Sequence, residues 1–174
     1  MRRRVRRSAG RSASRAHRCT CDGGKEEEVK FPTITYVAHR NGKVSRRVIL
    51  NRARAVKVAL DYIPDDGREY FIVFLLTGAG HILGVHVVSI GTAEWCDSRP
   101  VEVFRVALLT PGCSRIVAVH NHPHGGTRLS KMDKRMSKEL RKAGALLGIE
   151  VADYLVVSHH MPGSGERGYA SAWK

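Results

Sequence analysis

Three observations predict an α/β fold for this chain. The most apolar run, beginning at Glu69 and reaching Leu76, has the composition of a central strand. A second run, Ile82 to Ile90, follows it across Gly78-Ala79-Gly80 and reads as the other arm of a hairpin. From Ile116 to Leu147 a short β-branched strand gives way, through a Gly-containing loop, to a helical pattern.

Residues 1–30 are expected to form a disordered arm and residues 31–174 the folded domain. The arm is Arg-rich and low in apolar content, so it cannot bury enough surface to order itself. It holds a large part of a net charge of +14. Its Arg residues suit nucleic-acid phosphates, since binding would release counterions. A solvated tail with no partner explains it as well, because no aromatics are interleaved for base stacking. The Arg- and Ser-rich start also resembles an organellar transit peptide in composition, a reading ranked below a plain arm. Cys19-x-Cys21 beside His17 does not match a recurrent zinc spacing and reads as chance, while Cys96 and Cys113 read as ordinary small residues.

Thr33 to His39 alternates as a strand, and Asn41-Gly42 turns it into Val44 to Ile49. Asn51 then caps a helix to about Ile63, with Val56, Ala59, Leu60 and Ile63 inward and Pro64-Asp65-Asp66-Gly67 ending it. After the hairpin, Asp97 or Ser98 is expected to cap a helix over Pro100 to Leu109. Pro111-Gly112 precedes the strand from Ile116 to Val119. The next helix is expected to turn Met132, Met136, Leu140, Ala143 and Leu147 inward, and Ile149 to Val157 forms a last long strand.

Chemistry concentrates where the Ile116 strand ends. His120 and His122 lie two apart on extended backbone, so they point the same way and can grip one metal ion. Ser130 stands as the N-cap of the following helix, with Asp133 in its first turn. If that helix start folds back on the strand, Asp133 supplies a third ligand. Two His and one carboxylate leave a fourth position for water, as catalytic rather than structural zinc requires. Ser130-x-x-Asp133 also reads as a capping box with no further role.

His-Asn-His-Pro, followed after seven intervening residues by Ser130-Lys-Met-Asp133, resembles the metal-binding signature of the JAMM (MPN, or JAB) metalloprotease fold. HNHPHGG followed by LRKAGALLGIEVADYLVVS resembles its bacterial RadC-like branch, and the likeness runs from about Thr33 to Trp173. The resemblance implies a cytidine-deaminase-like fold with a curved, mixed sheet flanked by helices. It implies that His120, His122 and Asp133 bind zinc and that Ser130 helps stabilise an oxyanion. It also implies a general base on a distant strand, which places Glu69, in Glu-x-Phe before the apolar run, in that role. Without the resemblance Glu69 reads as a solvated charge at a strand edge.

Other candidates compete. Glu94 sits in a loop, Glu102 on a helix surface, and His81 and His86 read as accommodated polar residues. His124 would close the open site if it were a fourth ligand, so it reads as a loop residue or substrate contact. Arg128-Leu129 and Asp153-Tyr154 depart from the RadC-like pattern, which has Thr-Pro and Asp-His there. Asp153 reads either as support for the site or as an edge charge. Tyr169 to Trp173 resembles the family's closing segment.

The expected activity is therefore that of a zinc-dependent hydrolase, a metallopeptidase or isopeptidase with a peptide or protein substrate. The alternative is a nucleic-acid-associated module, tied to DNA repair or mobile elements, whose zinc site is vestigial or non-proteolytic. No apolar run approaches the length of a membrane span, and four cysteines do not call for an oxidising compartment, so the cytoplasm is the expected location.

Overall fold

The computed structural model describes residues 48–91, 99–161, 163 and 167–173. The expected arm over residues 1–30, the strand from Thr33 to His39, most of the strand from Val44, Glu94, Cys19, Cys21 and Cys96 lie outside the described residues. Val48 pairs with His81 in an isolated bridge.

The described elements run α1 (Arg52–Tyr62), β1 (Glu69–Leu76), β2 (Ile82–Gly91), α2 (Pro100–Leu109), β3 (Arg115–Asn121), α3 (Lys131–Leu147), β4 (Glu150–Ser158) and β5 (Gly168–Ser171). The strands form one sheet in the order β2-β1-β3-β4-β5. β1 is antiparallel to β2 and β3, β3 is parallel to β4, and β5 returns antiparallel to β4. The mixed α/β architecture is the one expected. α3 makes the crossover that the parallel β3–β4 pair needs.

The sheet is covered on both faces, which is why β1 is buried along its whole length. Tyr70, Ile72, Phe74, Leu76, Val117, Val119, Leu155 and Val157 pack with Val56, Ala59, Leu60 and Ile63 of the α1 segment. Phe71, Val73, Leu75, Ile116, Ala118, Tyr154 and Val156 pack with Phe104 of α2 and Leu140 of α3. Asn51 caps α1 by accepting from the Arg54 N–H.

Three expectations are corrected. α2 is preceded by Arg99 as N-cap with no side-chain cap bond, the Pro at its start already lacking an N–H to satisfy. β3 extends through Asn121 rather than ending at Val119. The buried face of α3 is Asp133, Ser137, Leu140 and Gly144, whereas Met132 and Leu147 are exposed. The reason is close approach: a Cβ on Gly144 would stand 2.5 Å from the Ile149 carbonyl oxygen and 2.8 Å from Val151 Cγ2. The helix therefore docks on its small and polar residues. Among the described residues, no helix is long and apolar enough to cross a membrane.

Candidate metal centre

The antiparallel register of β1 and β3 sets Phe71 opposite His120 and so brings the start of β1 beside the end of β3. Side chains alternate faces along a strand. Glu69 therefore shares a face with Phe71, and His120 with Ala118 and Ile116; this is the face that α3 covers. β3 ends at Asn121, but the His122 N–H still donates to the Val157 carbonyl at 2.9 Å and so fixes the next imidazole at the sheet's edge.

One donor atom each from Glu69, His120 and His122 lie within 4.8 Å of one another, a grouping that could hold a metal ion. His120 Nε2 is 2.8 Å from Glu69 Oε1, and the His120 and His122 rings meet edge to face with centroids 5.2 Å apart. Asp133 approaches from α3. Its Oδ1 is 3.0 Å from His120 Nδ1, and its Oδ2 is 3.8 Å from His122 Nε2. The grouping thus takes in Glu69, expected as the base, and leaves out Asp133, expected as a ligand, because Asp133 sits on the opposite nitrogen of His120.

Ser130 and Asp133 form a complete capping box: the Asp133 N–H donates to Ser130 Oγ at 3.0 Å, and the Ser130 N–H donates to Asp133 Oδ2 at 2.8 Å. The cap and the approach to His120 are made by the same carboxylate, so the capping and metal-site readings of Ser130-x-x-Asp133 coexist. Ser130 Oγ accepts, and its own proton is left to donate.

The donor set fits a cation. Asp133 can only accept, so it holds a proton on His120 Nδ1 and turns the Nε2 lone pair toward Glu69. His120 Nε2 is fully buried and makes no well-formed hydrogen bond among the described residues. A lone pair against a carboxylate is repulsive until a proton or a metal stands there. Burial alone would lower the His120 pKa, but the contacts with Asp133 and Glu69 outweigh it and push the imidazole up to about 9. Burial and the neighbouring His120 charge lower the pKa of His122, which keeps that ring neutral and able to donate its lone pair. Burial works to raise the Asp133 pKa, but hydrogen bonds from His120 and Ser130 hold it well below the usual carboxylate range.

Two positioning residues escaped sequence reasoning. The Tyr154 hydroxyl donates to Asp133 Oδ1 at 3.0 Å. Asn121 brackets Glu69: its Oδ1 accepts the Tyr70 N–H at 2.6 Å, and its Nδ2 donates to the Arg68 carbonyl at 3.0 Å. Only its place inside His-Asn-His hinted at Asn121. Asp153 does not reach the centre; it accepts from Arg52 Nε at 2.6 Å, Ser171 Oγ at 2.6 Å and the Tyr154 N–H at 2.8 Å, joining α1, β4 and β5. His124 is exposed in the loop. Glu102 pairs with Arg99 on the surface of α2, and His86 lies half-buried on β2, where burial lowers its pKa.

A family model described as RadC-like JAB domain matches residues 49–169. A UPF0758 protein of Chlorobium chlorochromatii is 35% identical over 96 residues, covering 55% of this chain and 43% of that protein. One of Shouchella clausii is 32% identical over 118 residues, covering 68% and 51%. One of Alkaliphilus metalliredigens is 38% identical over 94 residues, covering 54% and 40%. The chain spans about half the length of the curated relatives it matches, or somewhat less.

Proposed function

This chain belongs to the RadC-like JAB domain family, and on that premise we propose that it is a zinc-dependent hydrolase of JAMM type acting on peptide or isopeptide bonds. The observation that carries the reading is the convergence of Glu69, His120 and His122 within 4.8 Å, with Asp133 against the far side of His120.

His120, His122 and Asp133 are the ligands in this reading, as the family resemblance implies. Asp133 Oδ1 lies on His120 Nδ1, so the carboxylate would have to leave that nitrogen to share an ion with His120 Nε2. Donors to one zinc stand no more than about 4.4 Å apart, a reach that His122 Nε2 and Asp133 Oδ2 meet at 3.8 Å. Zinc held here would lower the pKa of a water toward neutrality and polarise a carbonyl. Glu69, buried at 6% exposure, accepts the water's proton and returns it to the leaving amine. Asn121 holds the main chain on both sides of Glu69, so the carboxylate is aimed before substrate arrives. Ser130 donates its hydroxyl proton to the developing oxyanion.

The test is hydrolysis of fluorogenic peptide and isopeptide-linked substrates by zinc-loaded protein and by Glu69→Gln. The reading expects the variant to keep its zinc and lose turnover. Equal turnover by both contradicts the role of Glu69, and loss of zinc from Glu69→Gln makes Glu69 a ligand instead.

A further inference from the structure

We infer that the solvent face of α3 is a docking surface for the phosphate backbone of duplex DNA. The inference is independent of the metal-site reading. Lys131, Lys134, Arg135, Lys138, Arg141 and Lys142 are all exposed along this helix. Its acidic residues are Asp133, buried in the metal centre, and Glu139, which pairs with Arg135. Four of the lysines, with Arg135 and Glu139, line one shallow groove.

A charged helix face is ordinarily only a solvated one, but there both signs are usually mixed. Elsewhere in the described structure Arg52, Arg68, Arg99, Arg105, Arg115 and Arg167 each have an acidic partner, while Arg54, Lys57 and Arg128 have none. Among the described residues, Lys131, Lys134, Lys138, Arg141 and Lys142 have none. Five of the eight unpaired cations among the described residues stand on this one helix.

Their spacing suits a polyanion. At about 1.5 Å per residue the cations from Lys131 to Lys142 extend over about 16 Å, and each DNA strand offers a phosphate about every 3.4 Å of axis. The groove lining includes no apolar side chain, so it lacks the apolar centre of a protein interface. α3 contains no aromatic residue, which disfavours single strands that bind by base stacking. Its exposed apolar residues, Met132, Leu146 and Leu147, stand at its two ends, so the cationic stretch between them has no continuous apolar face to enter a bilayer.

The test compares two double variants of the full chain by fluorescence anisotropy with a labelled DNA duplex of about 20 base pairs, across a range of KCl. Lys134→Ala/Lys138→Ala removes two charges from α3, and Arg54→Ala/Lys57→Ala removes two exposed charges from α1. The α3 pair is expected to weaken binding about tenfold at about 0.1 M salt and to lower the salt slope by about 2, with the α1 pair changing affinity less than about twofold. An α3 pair that binds like wild type, or two pairs that weaken binding equally, overturns the inference. So does an α3-dependent affinity that is higher for polyglutamate, for vesicles of anionic phospholipid or for an RNA duplex than for DNA.

Discussion

The hydroxyl of Tyr154 on β4 donates to Asp133 Oδ1 on α3 across 3.0 Å, tying the two elements together at the carboxylate that also holds His120. Both side chains are 3% exposed. A buried hydrogen bond to a charged acceptor contributes about 1.5–3 kcal/mol, and groups that orient metal ligands typically change metal affinity about 10–100-fold when removed. Tyr154→Phe is expected to weaken zinc binding within that range while leaving the fold intact. Competition with a chromophoric chelator measures the first, and thermal unfolding of zinc-free protein the second.

Asn121 is predicted to act through Glu69. Asn121→Ala leaves the buried Tyr70 N–H without its acceptor, at about 1–3 kcal/mol of stability. Asn121→Asp still accepts from Tyr70 but cannot donate to the Arg68 carbonyl. The expected result for Asn121→Asp is a fall in kcat with little change in KM and a displaced pH profile, because the base is misaimed rather than substrate lost. A variant with the wild-type pH profile and kcat contradicts this.

Protons and metal compete for His120. In zinc-free protein its pKa is raised from 6.5 to about 9. The stability it contributes is therefore full below about pH 6.5 and lost as the pH rises through about 9. Asp133 has the opposite sign: its pKa is lowered, so its contribution is present above the ordinary carboxylate range and lost as the pH falls through the depressed value. Thermal melts of chelator-treated protein should thus fall on the alkaline side between about pH 6.5 and 9. Zinc affinity should rise over the same interval, since binding displaces the proton.

Asp153 is predicted to matter for stability alone. It is 7% exposed and accepts from Arg52, Ser171 and the Tyr154 N–H. Arg52 is part-exposed, so solvent screens the pair; Asp153→Ala is expected to cost about 1–3 kcal/mol. Its zinc stoichiometry should equal that of wild type, and a loss of zinc would place Asp153 in the support of the centre.

The proximity of His120 and His122 and the Ser130–Asp133 cap were legible because each pair lies within one short stretch, where strand alternation and helix capping govern which way each side chain points. Glu69 is 51 positions upstream of His120, and no local pattern brings them together. That takes the β1–β3 register, which the family resemblance stood in for. Tyr154 and Asn121 were missed because a Tyr on a strand and an Asn between two His reveal nothing of partners 21 and 51 residues away. α1, β1, β2 and α2 followed from apolar periodicity. The face of α3 did not, because periodicity follows hydrophobicity while this helix buries Asp133, Ser137 and Gly144.

Metal content bears most directly on the central claim. Wild-type protein dialysed against excess zinc and then metal-free buffer, and assayed by elemental mass spectrometry, should retain one zinc per chain, with His122→Ala and Asp133→Asn retaining almost none. Zinc absent from the wild type, or held equally by the His122 variant, would contradict a metal centre at this site.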